Sequence, residues 1–201
     1  MNIRRLSTLL LVACAFFFYP SANAQLPVVG DGGPGPIKAQ HLTAELVSLA
    51  PSIAPGGTLQ AGLVITLEEH WHVYWINAGD SGEPPKITWT LPEGITAGPM
   101  QFPIPSRLPL GPLMDFGYED EVAFPVQLTA ASSLKPGPIH LDAMVDWLVC
   151  REVCIPGKAH LGLNLTVSPD ATTPAQSVGA IGEALNQARK AAPSPAASGP
   201  A

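Results

Sequence analysis

Two cysteines, Cys150 and Cys154, stand four residues apart in the run Trp147-Leu148-Val149-Cys150-Arg151-Glu152-Val153-Cys154-Ile155-Pro156. Such a pair either forms a stabilising disulfide or carries out thiol–disulfide exchange. Along one continuous strand, residues four apart lie ~13 Å from each other, too far to bond. Pairing therefore requires a tight turn, and Arg151 to Val153 reads as a three-residue hairpin loop. Spacing alone favours a staple, but magnitude favours a switch. Closing a five-residue loop removes only about 2 kcal/mol of unfolded-state entropy. A domain with a full apolar core does not depend on so small a contribution.

The elements that must position this pair are strands. Apolar residues alternate with polar ones at Leu59, Ala61, Leu63, Ile65 and Leu67, and again at Ile87, Trp89 and Leu91. The same period recurs at Val122, Phe124, Val126 and Leu128, and at Ile139, Leu141, Ala143, Val145, Trp147 and Val149. Leu161, Leu163, Leu165 and Val167 close the series. A period of two means one buried and one wet face. With Pro and Gly at turn-like spacing between segments, about seven to nine strands predict an all-β, immunoglobulin-like two-sheet sandwich. By this phase Cys150 falls with His140, Asp142 and Asp146, one residue out of step with the core set. Counting back from Leu161 puts Cys154 out of step too. Both thiols are expected on the wet face, where an incoming thiolate can reach a sulfur in line.

Other residues invite chemistry less strongly. His70-Trp71-His72, with His160 and the two cysteines, supplies the donor types of a soft copper or zinc site. The copper loop of cytochrome oxidase subunit II has a similar Cys-x3-Cys, but Lys158 and Leu161 stand where that loop has its His and Met. The preferred expectation is no metal and no cofactor, with His70 and His72 as surface strand residues. Trp71, Trp75, Trp89 and Trp147 are expected mostly in the core. Glu119-Asp120-Glu121 reads as a solvated turn.

The chain has 201 residues. Its start has the form of a secretory signal: Arg4 and Arg5, an apolar run from Leu9 to Phe18, and Ala22-Asn23-Ala24 before Gln25. Leu11-Val12-Ala13-Cys14 also has the form of a lipobox, but the aromatic run Phe16 to Tyr19 follows where a polar tether belongs, so plain cleavage is preferred. Loss of Arg4 and Arg5 leaves 8 basic against 16 acidic residues, a net charge of −8. That balance argues against nucleic acid and anionic membrane as partners. No later segment is apolar enough to span a bilayer as a helix. The expected organisation is a signal peptide over 1–24, a flexible Gly/Pro-rich lead-in over 25–38, the sandwich over 39–167, and an Ala/Pro-rich tail over 168–201. That tail is expected to be mostly disordered, with a short helix within 175–191.

The sequence resembles the N-terminal periplasmic domain of the thiol:disulfide interchange protein DsbD, in the version of its ScsB-type relatives. The resemblance is carried by His70 to Gly82 (HWHVYWINAGDSG), Trp89 to Gly94 (WTLPEG), Phe116 to Val122 (FGYEDEV) and Asp146 to Pro156 (DWLVCREVCIP). It covers residues 41–167. It implies an immunoglobulin-like sandwich whose two cysteines pass reducing equivalents. The donor would be a thioredoxin-like protein or a membrane electron donor, and the acceptors periplasmic thiol–disulfide proteins such as those of cytochrome c maturation. It also implies a cap loop, whose counterpart here is about Arg107 to Met114. The best-known member has five residues between its cysteines, whereas this chain has three. That family's full-length proteins continue into membrane helices and a thioredoxin domain, so this chain is either a stand-alone module or part of a longer one. The expected site is Cys150 and Cys154, one the nucleophile and the other resolving the mixed disulfide. Tyr74 and Tyr118 are expected to line the pocket, and Arg151 to favour a thiolate against the opposing charge of Glu152. The alternative from a different class is a binding or scaffold module with a structural disulfide.

Overall fold

The structure is a computed structural model that describes residues 26–171. The expected signal peptide over 1–24 and the expected helix within 175–191 lie outside the described residues. Those described form thirteen strands and no helix. In chain order they are β1 (Val28–Val29), β2 (Ile37–Ala39), β3 (Leu42–Ser48), β4 (Ser52–Ile53), β5 (Thr58–Leu67), β6 (His72–Gly79) and β7 (Lys86–Thr90). They continue as β8 (Ile95–Ala97), β9 (Ser106–Leu110), β10 (Leu113–Glu119), β11 (Glu121–Ala130), β12 (Gly137–Cys150) and β13 (Cys154–Val167). The count exceeds the seven to nine expected because β1, β2, β4 and β8 are only two or three residues long, too short to show a period.

The strands make two sheets. The larger has the order β1-β13-β12-β6-β10-β9, with β4 also on β13 and β7 also on β12; the smaller has the order β2-β3-β5-β11-β8. The long hairpin of β12 and β13 is the frame of the larger sheet, paired without a break from Gly137↔Val167 to Cys150↔Cys154. On its other edge β12 meets β7 over Asp142–Asp146 and then β6 at Cys150↔His72.

The core lies between the sheets and uses the alternating sets. From the larger sheet come Leu141, Ala143, Val145, Trp147, Val149, Leu161 and Leu165; facing them are Leu59, Leu63, Ile65, Phe124 and Leu128. All are buried, and each fully buried Leu, Ile, Val or Phe side chain contributes roughly 1.5–3 kcal/mol. Trp71 and Trp147 are part of the core, and Trp75 and Trp89 pack half-buried against it. Glu119, Asp120 and Glu121 form the exposed crossing from the larger sheet to the smaller, as expected of a solvated turn. The stretch read as a flexible lead-in is paired: Val28–Val29 runs parallel to Lys158–Ala159, and Gly32 N–H donates to the His160 carbonyl at 3.2 Å.

Candidate functional site

The three-residue turn forms as the spacing requires. Arg151 N–H donates to the Val153 carbonyl at 3.1 Å, and the three turn residues are exposed. The turn makes Cys150 and Cys154 the terminal pair of the β12–β13 ladder, with Cα atoms 4.2 Å apart and the two sulfurs bonded. This separation is close to that of a non-hydrogen-bonded antiparallel pair, in which side chains lie near each other.

Residues directly opposite in a ladder share a face. The pairs Cys154↔Cys150, Cys150↔His72 and His72↔Glu119 therefore set four side chains in one row across β13, β12, β6 and β10. This is the outer face, since Val149 and Val73 beside them point into the core. The row corrects one expectation. Cys154 is exposed as expected, but Cys150 is only 1% exposed. Cys150 lies in an interior strand with Cys154 on one side and His72 on the other. Cys154 starts β13, whose outer edge is paired at Lys158–Ala159 and further along but, among the described residues, not at Cys154. Phase alone distinguishes inner from outer face and takes no account of neighbours within the outer face.

Tyr74 is the pocket residue that the structure brings to the cysteines. It shares the outer face with His72 and is fully buried. Its hydroxyl lies 3.7 Å from Cys154 Sγ and 3.3 Å from His72 Nε2. The ring is held from above by Gly82, where φ is +85° and any Cβ would run into the phenol. That loop is fixed in turn: Ser81 donates its N–H to Asp115 Oδ1 at 2.8 Å and its hydroxyl to Asp115 Oδ2 at 2.6 Å. Burial, then the charge of Asp115, raises the pKa of the Tyr74 hydroxyl above its ordinary value, so it remains a proton carrier at neutral pH.

Tyr118 is not brought to the site. On β10 it is the partner of Val73, so it points into the core, packs edge-on against Phe124 and donates to the Pro103 carbonyl at 2.7 Å. Arg151 is engaged by two neighbours. Its Nε donates to Glu152 Oε2 at 2.6 Å, and its guanidinium lies 5.4 Å from the centre of the Trp71 ring. This hydrogen bond, first, holds the Glu152 carboxyl below its usual range.

The three histidines considered for a metal are separated. His70 is exposed, His72 is buried in the row, and His160 bonds Asp142 at 3.0 Å on the outer face of β12–β13. Among the described residues no group of three His, Cys, Asp or Glu is placed to hold an ion. The segment matched to a cap loop is a hairpin of β9 and β10 turning at Gly111-Pro112. Its Arg107, Leu108, Pro109 and Leu110 line a cavity of about 220 Å³ together with His70, His72, Glu119 and Arg151.

The family model for the N-terminal domain of the thiol:disulfide interchange protein DsbD matches residues 39–166. The chain belongs to this family. Among solved structures, the N-terminal periplasmic domain of ScsB from Proteus mirabilis matches this DsbD N-terminal-type chain with a TM-score of 0.55 and 24% identity, over 77% of this chain and 56% of that one. The chain thus spans little more than half the length of that structure. The yeast GGA1 GAE domain–P21 structure matches at a TM-score of 0.34 and 12% identity, over 63% of this chain and 93% of that one. No curated protein matches the sequence.

Sequence reasoning missed three residues of this DsbD N-terminal-type site: His72, Ser81 and Asp115. His72 was expected on the surface but is 8% exposed. Its alternation with Tyr74, itself a named pocket residue, is the signal that would have found it. Ser81 and Asp115 meet only through tertiary packing, and no local pattern marks them.

Proposed function

We propose that the domain, over 39–167, is a periplasmic thiol–disulfide relay that passes reducing equivalents through the Cys150–Cys154 pair. It works as the protein-disulfide reductase component of a longer electron path. The signal-like pattern of the segment 1–24 and the periplasmic location of the ScsB domain support the compartment. The donor is a thioredoxin-like protein or a membrane electron donor, and the acceptors are periplasmic thiol–disulfide proteins, those of cytochrome c maturation among them. Thiol exchange needs no cofactor.

The observation that carries the reading is the unequal exposure of the two cysteines at one strand end. A donor's thiolate must approach an S–S bond in line, and only the exposed Cys154 offers such an approach. It attacks Cys154 Sγ and forms the mixed disulfide, and Cys150 leaves as a thiolate that takes up a proton. A second donor thiolate then attacks the donor's own sulfur in the mixed disulfide and releases Cys154. The two cysteines gain two electrons and two protons, and the donor's dithiol becomes a disulfide. Run backwards against an acceptor disulfide, Cys154 is the attacking thiolate and Cys150 resolves the mixed disulfide.

The test is a trapping experiment. Reduced Cys150→Ala protein, mixed with an oxidised thioredoxin-like protein, is expected to accumulate a mixed disulfide through Cys154. No trapped species with either single-cysteine variant would leave the pair a structural staple in a binding or scaffold module.

A further inference from the structure

His72 stands next to Cys150 in the outer-face row, yet the exchange described above makes no use of it. Its Nε2 and the Cys154 sulfur share one neighbour, the Tyr74 hydroxyl, at 3.3 Å and 3.7 Å. A phenol hydroxyl donates one proton and accepts on its oxygen. When Cys154 is a thiol, its S–H donates to Tyr74 Oη while Tyr74 O–H donates to His72 Nε2, a continuous path between sulfur and imidazole. Tyr74 cannot drift from this place, because Gly82 closes over its ring and the Ser81–Asp115 pair fixes Gly82.

The surroundings suit an acceptor. Glu119 lies opposite His72 on β10, with Asp115 further along the same strand; Arg107 of β9, Arg151 of the cysteine turn and His70 line the same cavity. Burial, the largest influence, lowers the His72 pKa, with Glu119 and Asp115 opposing. The ring is thus neutral before the transfer, and Glu119 and Asp115 favour the imidazolium that forms when Cys154 gives up its proton.

We propose that His72 is the proton acceptor and donor of the Cys154 thiol, acting through the Tyr74 hydroxyl. This rests on the relay reading and adds to it the group that moves the proton. In the direction of an acceptor disulfide, the Cys154 S–H proton passes to Tyr74 Oη as the Tyr74 proton passes to His72 Nε2. The Cys154 thiolate then forms a bond to one acceptor sulfur while the acceptor S–S bond breaks, and the departing sulfur leaves as a thiolate. Cys150 next attacks Cys154 Sγ, losing its own proton to solvent, and frees the second acceptor thiolate. The imidazolium returns its proton to that thiolate by way of Tyr74, and solvent protonates the first. Two electrons and two protons leave this protein and arrive on the acceptor.

The experiment is alkylation of the fully reduced full chain by iodoacetamide between pH 5 and 10, with modification at Cys154 read by mass spectrometry. His72→Gln is expected to move the apparent Cys154 pKa upward by about one unit and so slow its alkylation at neutral pH about tenfold. Tyr74→Phe, which keeps the ring under Gly82 and removes only the hydroxyl, is expected to do the same. The double variant is expected to be no slower than either single. Profiles of both singles superimposed on the parent, or effects that multiply in the double, would overturn the proposal. If His72→Gln does not fold, Tyr74→Phe alone decides. The relay reading fails separately: the mixed disulfide with a thioredoxin-like protein would be absent while the Cys154 profile still depended on His72.

Discussion

Cys150 and Cys154 close the β12–β13 ladder as direct partners with Cα atoms 4.2 Å apart, and Cys154 is exposed while Cys150 is 1% exposed. An interior strand position encloses one thiol, and a strand start whose outer edge is, among the described residues, unpaired exposes the other. The two sulfurs of one bond are thereby made chemically unequal by sheet topology.

This inequality has a direct consequence for labelling. In Cys150→Ala the remaining Cys154 should react with a maleimide in the folded state. In Cys154→Ala the buried Cys150 should react at least about tenfold more slowly, because thiolate reactivity requires access. Equal rates, measured by mass shift under native conditions, would contradict the assignment of Cys154 as the attacked sulfur.

Removing both thiols should leave the fold intact. Cys150→Ala/Cys154→Ala is expected to lose about 2 kcal/mol, the unfolded-state entropy of a five-residue loop, with an unchanged urea m-value. Phe124→Ala, by contrast, removes a fully buried ring packed against Phe102 and Tyr118 and should cost about 3–5 kcal/mol. Urea melts of the two variants test the ordering, and a disulfide-free chain that fails to fold would reverse it.

Gly82 bears on the site without touching a cysteine. Gly82→Ala sets a methyl group against the Tyr74 ring at a backbone φ of +85° that L-residues rarely adopt. The expected outcome is slower exchange with a thioredoxin-like protein together with a changed Tyr74 environment in near-ultraviolet circular dichroism. Unchanged exchange in a variant whose Tyr74 signal has moved would show that the hydroxyl's position is immaterial.

Stability should also depend on pH through His72. Its pKa is lowered from the ordinary 6.5 chiefly by burial, so over the interval below 6.5 the unfolded chain binds more protons than the folded one. Stability then rises with pH through that interval and is lost as pH falls towards the folded pKa. His140 is shifted the other way, first by its hydrogen bond to Asn164, and contributes the opposite slope. The difference between parent and His72→Gln isolates the His72 part. From pH 7.5 to 4.5 the parent's urea midpoint should fall relative to that of His72→Gln, and a constant offset would exclude the effect.

The sandwich was legible because its core is written in period two. Leu59 to Leu67, Val122 to Leu128 and Leu161 to Val167 each bury the set the alternation names. The cysteine turn was legible for a similar reason, since bond geometry leaves a three-residue loop little alternative. The outer face was not. Whether Cys150 and His72 are wet depends on which strands flank them, and the pairing of β12 with β6 joins residues nearly eighty positions apart. Tyr74 and Tyr118 show the same limit. The sequence offered both as pocket residues, but one pairs into β6 facing outward and the other into β10 facing inward, and only the register decides that.

The most direct test of the relay is the reduction potential of the Cys150–Cys154 pair, measured by equilibration with a thioredoxin-like protein while circular dichroism follows the fold. A relay has to be oxidised and reduced repeatedly, so its potential must lie within reach of thioredoxin-like donors near about −270 mV. The account predicts a value within about 30 mV of that figure, roughly 1.4 kcal/mol for a two-electron couple, with the same spectrum in both redox states. A potential well below roughly −300 mV, or loss of the β spectrum on reduction, would contradict it.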